Sequence, residues 1–325
     1  MVTTTPPALA DLLERMHVVA LPLHTRFRGQ TVREVALFEG PEGWTEFSPF
    51  PEYGDEEATA WLRAAVEFGW SASVRVAEEP LALRTEIMVN ATVPAVEAAD
   101  VARVLSHYDG CRTAKVKVAE RGQTLDDDVA RVRRVREVMG PEGRLRLDAN
   151  GGWNVDEAEH AVHRLAEFDL EYLEQPCASV DELAQLRERI AYLDIPVAAD
   201  ESVRKASDPL AVARAGAADL LVVKAQPLGG ITAALAIVAE AGLPAVVSSA
   251  HLAAALPALD HDCGLATVEL FTADVAAPGQ SLVPRTGRIP VTRPEVDPEA
   301  LARLAATPDR RAWWADRVTR IHPLL

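Results

Sequence analysis

Six charged residues recur in a series of apolar, strand-like runs. Lys115 and Lys117 lie in AKVKVA, Asp148 in RLRLDAN, Glu174 in LEYLEQP, Asp200 in PVAADES and Lys224 in DLLVVKA. From Lys117 onward they follow one another at steps of 24 to 31 residues, about one strand–helix unit each. In a parallel barrel that spacing delivers them all to the C-terminal rim, where such folds place their chemistry. Lys115 and Lys117, two apart on a strand, project from one face, so their ammonium groups repel. Three carboxylates brought together also repel unless a cation lies among them. Their all-oxygen donor set suits Mg2+ or Mn2+, with water and substrate in the other positions. The lack of Cys or His in the set argues against zinc. Asn150 and Glu201 follow Asp148 and Asp200 within two residues and are candidates to orient those ligands.

The charges balance around a particular reaction. Three carboxylates, a divalent cation and three lysines, one of them neutral as a base must be, leave a single positive charge. A substrate carboxylate neutralises it. Removing the proton next to that carboxylate makes an enediolate with two negative charges and a protonated lysine, and the site stays neutral. Preorganised charge of this kind is the usual remedy for so unstable an anion. Neighbouring cations also lower a lysine's pKa toward the working range of a base.

Each signal is weak alone. A lone lysine on a strand usually faces solvent, and a lone D-x-N or E-x-P is usually a turn. Repetition over five successive runs carries the weight. His251, after Ser248 and Ser249, reads as a structural or rim residue. His107, His163 and the basic run Arg131, Arg133, Arg134 and Arg136 read as solvated helix faces. Cys111, Cys177 and Cys263 read as small core or loop residues.

The elements that must position these groups are legible from residue 82. Strand-like runs at 82–91, 114–119, 144–150, 170–176, 196–202, 219–225, 244–250 and 265–270 alternate with helical periodicity, as in Val101, Val104, Leu105 and Tyr108. Ser179 and Glu182 form a capping-box pattern, and Pro209 after Asp208 fits a first helical position. Eight strands each followed by a helix predict a parallel α/β barrel of the (β/α)8 type. A doubly wound open sheet is the alternative, but no G-x-G-x-x-G follows the first strand. Residues 1–81 read as a separate α+β domain, with a helix at 7–16, apolar segments near 17–22 and 32–38, and a helix capped by Asp55. The tail from about 272 to 325, with a short helix at 298–306, is expected to pack back on it. The catalytic barrel then spans 82–271.

Bulk properties narrow the partners. The 325 residues carry 33 basic and 49 acidic side chains, for a net charge of −16. No basic stripe stands out, so neither a nucleic acid nor an anionic membrane is expected as a partner. A small-molecule carboxylate remains compatible, because clustered lysines invert the field locally. Sparse cysteines and an N-terminus without a signal-like apolar core predict a cytoplasmic protein. The uncharged stretch 241–259 contains Pro244, His251 and Pro257 and reads as a strand and a short helix, not a membrane span. No oligomeric state is readable.

The motifs K-x-K, D-x-N, E-Q-P, D-E-S and the lysine of the sixth run resemble the enolase superfamily, in its muconate-lactonizing-enzyme-like subgroup. That superfamily uses a Lys or His base with metal-stabilised enediolates. The resemblance covers essentially the whole chain. It implies a modified (β/α)7β TIM-like barrel under an N-terminal α+β capping domain, with Mg2+ held by Asp148, Glu174 and Asp200. HTRFRGQTVREVALFEG (24–40), GWTEFSPFPEY (43–53) and Ser248-Ser249 further resemble one dehydrating branch of the subgroup. Its members convert 2-succinyl-6-hydroxy-2,4-cyclohexadiene-1-carboxylate to 2-succinylbenzoate in menaquinone biosynthesis.

That likeness implies a hydro-lyase in which Lys117 removes the α-proton and then protonates the leaving hydroxyl on the same face. Lys115 would meet the substrate carboxylate, and Lys224, opposite, would stabilise the enediolate. Ser248 and Ser249 would bond the succinyl end, and the capping loops near Arg26–Arg28 and Phe47–Tyr53, with Arg26, Arg28, Phe47 and Pro49 as the candidate contacts, would close over the substrate. The same lysines serve N-acylamino acid racemases, dipeptide epimerases and muconate cycloisomerases. A non-catalytic binding barrel is the reading from another class, and the full residue set speaks against it.

Overall fold

Apolar runs at 18–23 and 35–38 build the first unit of this computed structural model, which describes residues 6–27, 29–71, 83–204 and 208–325. After helix α1 (Leu9–Glu14), strands β1 (Met16–Phe27) and β2 (Gln30–Gly40) pair antiparallel from Met16↔Phe38 to Pro22↔Val32. Strand β3 (Gly43–Phe47) adds to β2. The β2–β3 turn runs against helix α2 (Asp55–Trp70): a Cβ on Gly40 would stand 2.3 Å from the Gly69 carbonyl oxygen, so only glycine fits there. Gly54, not Asp55, holds the cap position. Asp55, Glu56 and Glu57 fill the first turn, where negative charge is favoured.

The barrel follows. Strand β4 (Glu86–Met88) precedes β5 (Ala91–Val93), and α3 (Val101–Leu105) leads to β6 (Thr113–Lys117). Then come α4 (Leu125–Met139), β7 (Arg144–Asp148), α5 (Val155–Leu165), β8 (Leu170–Glu174), α6 (Val180–Arg189) and β9 (Val197–Ala199). Short helices α7 (Glu201–Arg204) and α8 (Ala211–Arg214) lead to β10 (Leu220–Val223), followed by α9 (Ile231–Ala241), β11 (Ala245–Val247) and α10 (Ala250–Ala255). Strands β5 to β11 form one parallel sheet in sequence order. Capping boxes at Thr124, Asn154 and Ser179 start α4, α5 and α6, satisfying backbone donors that a helix start leaves free.

The pleat sorts the side chains. On β6, Ala114 and Val116 are fully buried in the shell of helices, while Lys115 and Lys117 point inward. Below the rim, Tyr172, Ala198, Leu220, Val222 and Val246 fill the barrel interior.

The tail returns to the first unit. Strand β12 (Arg288–Pro290) pairs antiparallel with β4, and helices α11 (Pro298–Arg303) and α12 (Pro308–Ile321) follow. The Ala20 and Ala306 amides donate to the Leu304 and Val18 carbonyls at 2.8 Å each, and Trp314, Val318 and Ile321 share a core with Leu12, Phe38, Phe47 and Leu62.

Several expectations shift. The run 82–91 divides into β4, which joins the tail, and a barrel strand that starts at Ala91. The run 265–270 is a 3-10 helix over Ala266–Leu270, not an eighth strand. Six apolar-rich residues do not distinguish strand from helix by period alone. Cys263 fills the eighth place instead: its amide donates to Met88 O at 2.8 Å, and its carbonyl accepts from the Asn90 amide at 3.0 Å. Helix α8 begins at Ala211, with Pro209 ahead of it in the turn. Among the described residues no helix is long and apolar enough to cross a membrane.

Candidate active site

The C-terminal ends of β6 to β10 carry the charged groups. Register places Lys117 beside Asp148 and Asp148 beside Glu174. Asp200 follows β9 and Lys224 follows β10 directly. Each carboxylate is turned to a lysine. Lys117 Nζ donates to Asp148 Oδ2, and to Asn150 Oδ1 at 2.7 Å. Lys115 Nζ reaches both Glu174 oxygens at 2.9 and 3.1 Å and lies 3.3 Å from Asp148 Oδ2. Lys224 Nζ donates to Asp200 Oδ2 at 2.5 Å.

Burial and charge pull these groups apart electrostatically. Burial alone would raise Asp148, but Lys117 and Lys115 hold it well below the usual carboxylate range. Asp200 falls to about 2 against the same burial, held there by Lys224 and Arg204. Glu174 is pushed up to about 7 by burial and by the Asp148 charge, despite Lys115. Burial would lower Lys115, but Glu174 and Asp148 raise it well above the usual lysine range. Like charges so close raise the cost of ionising the last of them.

Among the described residues no three Asp, Glu, His or Cys side chains stand as a ready-made metal cage, and lysines bond oxygens of all three carboxylates. The donor set nevertheless fits a hard divalent cation. It is all oxygen, fully buried, drawn from adjacent strand ends, and overcharged at Glu174.

Other polar groups brace the set. Asn150, with a left-handed φ of 47°, bonds Glu201 Oε1 at 3.2 Å through Nδ2 and accepts from Lys117. Gln175 of the E-Q-P motif has φ 40° and is fully buried. Its oxygen accepts the Asp200 amide at 2.9 Å and the Ser202 amide at 3.1 Å, so it fixes the D-E-S turn. Arg131 departs from the expected solvated face. It is 1% exposed and donates to the Lys117 carbonyl at 2.9 Å, to Asp128 Oδ1 at 2.8 Å and to Val96 O at 2.6 Å. Asp128, Arg131, Val132 and Val135 share the face of α4 turned to the barrel. Arg133 and Arg134 are on the wet side, as expected. Arg136 instead binds the carbonyls of Phe168, Gly140 and Gly143.

A cavity of about 640 Å³ opens above the rim, between barrel and capping sheet, and Lys115, Lys117, Asp148 and Lys224 line it. Ser248, Ser249 and His251 line it as well. The capping residues expected there are displaced by one position. Phe47 is fully buried, edge-on to Trp314 with ring centres 5.6 Å apart, and Pro49 is buried too; neither lines the cavity. Trp44, Glu46, Ser48 and Phe50 face it instead, because neighbouring residues on an extended chain point to opposite sides. Arg26 is exposed, while Phe27 faces the cavity with its ring centre 5.7 Å from Lys117 Nζ. Arg28 lies outside the described residues. Sequence reasoning missed Arg131, Gln175 and Arg204; Phe27, Ser48, Phe50 and Tyr53 lie within the two expected capping loops, though the residues singled out there were their neighbours. For Arg131, a sign was available: an acidic residue three positions before it, and Val132 and Val135 on the same helix face.

The Enolase N-terminal domain-like family profile matches residues 18–69, and the Enolase C-terminal domain-like profile matches residues 97–295. An o-succinylbenzoate synthase of Mycolicibacterium smegmatis is 54% identical, covering 99% of this chain and 100% of its own. The chain belongs to the o-succinylbenzoate synthase family of the enolase superfamily. The o-succinylbenzoate synthase of Mycobacterium tuberculosis is 52% identical, covering 100% of this chain and 98% of its own. Among solved structures, 2-chloromuconate cycloisomerase from Rhodococcus opacus superposes with a TM-score of 0.72 at 23% identity, covering 90% of this chain and 98% of that one. The N-succinyl Arg/Lys racemase from Bacillus cereus gives 0.71 at 19%, covering 90% and 97%. Those two likenesses speak to the fold alone.

Proposed function

We infer that the chain catalyses the reaction of its o-succinylbenzoate synthase relatives. It dehydrates 2-succinyl-6-hydroxy-2,4-cyclohexadiene-1-carboxylate to 2-succinylbenzoate, as a carbon–oxygen lyase of menaquinone biosynthesis. The observation that carries this reading is the convergence of Lys115, Lys117, Asp148 and Lys224 on one cavity in a chain matched over its full length by those relatives.

Lys117, in its neutral form, takes the proton at C1. The electron pair left behind delocalises into the C1 carboxylate, which becomes an enediolate. The pair then returns to form the ring double bond as the C6–oxygen bond breaks. The same Nζ gives its proton to the departing hydroxyl, so one water leaves and the ring is aromatic. A single acid–base on one face suits a syn elimination. Lys115 meets the substrate carboxylate, and Lys224 offsets the second negative charge from the other side. Asp148, Glu174 and Asp200 would hold Mg2+, or Mn2+ in its place. When bound, that ion supplies positive charge favouring the enediolate. Phe27 and Phe50 cover the ring and exclude water, and Ser248 and Ser249 bond the succinyl arm.

The test is a direct assay of dehydration with this substrate beside a panel of N-acyl amino acids. Chelation of divalent ions is expected to abolish aromatisation, and Mg2+ to restore it. Racemisation without dehydration would overturn the reading. Restoration by Zn2+ alone would overturn the metal assignment.

A further inference from the structure

The segment 48–53 that borders the cavity is held from three directions. Arg33 of β2 donates to the Ser48 carbonyl and lays its guanidinium 4.0 Å from the centre of the Phe50 ring. Arg317 of α12 donates to the carbonyls of Phe50 at 3.2 Å and Tyr53 at 2.6 Å. Arg204 comes from the barrel instead. Its Nη1 donates to the Tyr53 hydroxyl at 3.1 Å, its Nε to Asp200 Oδ1 at 3.1 Å, and its Nη2 to Glu201. Arg204 is 6% exposed and Tyr53 is 7% exposed. One planar fork thus joins the capping segment to a carboxylate at the heart of the site.

The geometry divides the Asp200 carboxylate. Oδ1 meets a single arm of the guanidinium, and Oδ2 is left to face Lys224. Tyr53 and Glu201 occupy the other arms. Without the Tyr53 hydroxyl, a buried Nη1 loses that acceptor. With the Nη1 anchor gone the fork is free to tilt, and its parallel Nε and Nη2 arms can close together on Asp200, with Nη2 leaving Glu201. Closing on Asp200 turns that carboxylate away from the cavity.

We propose that Arg204 is a positioning residue that couples the seating of segment 48–53, through Tyr53, to the orientation of Asp200. The inference rests on the reading of Asp200 as a metal ligand. Coupling between two sites is reciprocal. A ligand in the cavity that packs on Phe50 and Ser48 favours the seated segment and therefore tightens Mg2+ binding, and Mg2+ binding favours the seated segment in turn.

Tyr53→Phe in the full chain tests this. It removes one oxygen and keeps the ring that packs on Phe50 and Trp61. Calorimetric titration with MgCl2, with and without 2-succinylbenzoate, reads the outcome. In the parent, 2-succinylbenzoate is expected to tighten Mg2+ binding about fivefold or more. In Tyr53→Phe, Mg2+ alone is expected to bind about tenfold more weakly and the tightening to shrink, with the metal-free thermal midpoint held within about 2 °C. Arg204→Lys keeps the charge but not the planar fork, and is expected to show the same loss. Unchanged Mg2+ affinity and tightening in Tyr53→Phe would overturn the coupling alone. So would an affinity loss that comes with a lowered midpoint, which marks Tyr53 as packing only. A parent that binds no Mg2+ would overturn the metal assignment and the coupling with it.

Discussion

Lys117 and Lys224 face one cavity but are held by different parts of the chain. Lys117 is braced from within the barrel: Asn150 receives its ammonium, and Arg131 of α4 holds its carbonyl. The Lys224 side is braced from the capping unit. Gln226, two residues on, donates to Glu46 of β3 at 2.9 Å. Glu67 of α2 accepts from the amides of Ile231 and Thr232 at the start of α9, at 2.5 and 3.1 Å. Tyr53 meets Arg204 beside Asp200. These hydrogen bonds to the proposed base come from the barrel, with Phe27 of the cap over its ammonium, whereas the groups opposite are tied to the cap by hydrogen bonds. A reaction with one acid–base residue needs rigidity mainly on one side, and the capping unit is left to register the other side against the substrate.

The largest expected break in this comparison is at the lysines themselves. Lys117→Ala is expected to lower the dehydration kcat on the order of 10⁴-fold, because the proposed mechanism makes one group both the proton's acceptor and its donor. Lys224→Arg keeps a positive charge and is expected to lose no more than about 10²-fold. Equal losses in a steady-state assay would contradict the unequal roles assigned to the two sides.

Arg131→Met attacks the internal brace. It strands Asp128, a buried carboxylate already raised by burial, and frees the Lys117 carbonyl. Unpairing a buried charge costs about 3–5 kcal/mol, readable by urea unfolding. The double variant Arg131→Met, Asp128→Asn is expected to recover part of that stability but not the kcat. Full recovery of kcat would show that the contact to Lys117 does not matter.

The junction between cap and barrel has its own pH dependence. His251 of α10 packs edge-on to Phe68 of α2, ring centres 4.9 Å apart. Burial and the nearby Arg293 lower it to about 4. Its unfolded value is about 6.5. Above 6.5 both states are neutral there. As pH falls from 6.5 to 4 the unfolded chain takes up the proton first, so stability falls through that window and levels off below it. The total is on the order of 3 kcal/mol. His251→Asn is expected to flatten this slope in chemical denaturation measured at several pH values. An unchanged slope would remove His251 from the acid response of the junction.

The two sides also differed in how far they could be read from sequence. Lys117, Asp148, Glu174, Asp200 and Lys224 stood out because a parallel barrel repeats at a fixed length and places each strand end at one rim. Their order in the chain is their order in space. The cap has no such period. Its contribution depends on which face of β1 and β3 meets the barrel, and a slip of one residue exchanges Phe47 for Ser48 and Arg26 for Phe27. The braces were illegible for a related reason: Arg131 and Arg204 are charged residues on helices, where exposure is the ordinary outcome. Only the tertiary contacts, to Lys117 O for one and to Asp200 and Tyr53 for the other, distinguish them. The 3-10 turn at 266–270 was misread because a short apolar run carries no decisive period.

The smallest expected effect is the most specific to the cap. The Gln226–Glu46 bond crosses from the loop after β10 to β3, with both partners lining the cavity. Gln226→Leu leaves the barrel strands and Lys224 itself intact, so the proposed base and the carboxylates keep their places. It removes one partly buried hydrogen bond, worth about 1 kcal/mol net. If that bond only tied two surfaces together, the loss would appear in stability alone. If it registers the cap over the substrate, it should appear in KM, by about fivefold, with kcat nearly unchanged. The bond then stabilises bound substrate and transition state alike. A fall in kcat at constant KM would instead mean that the cap reaches the chemical step through Lys224, and the division of labour between the two sides would have to be redrawn.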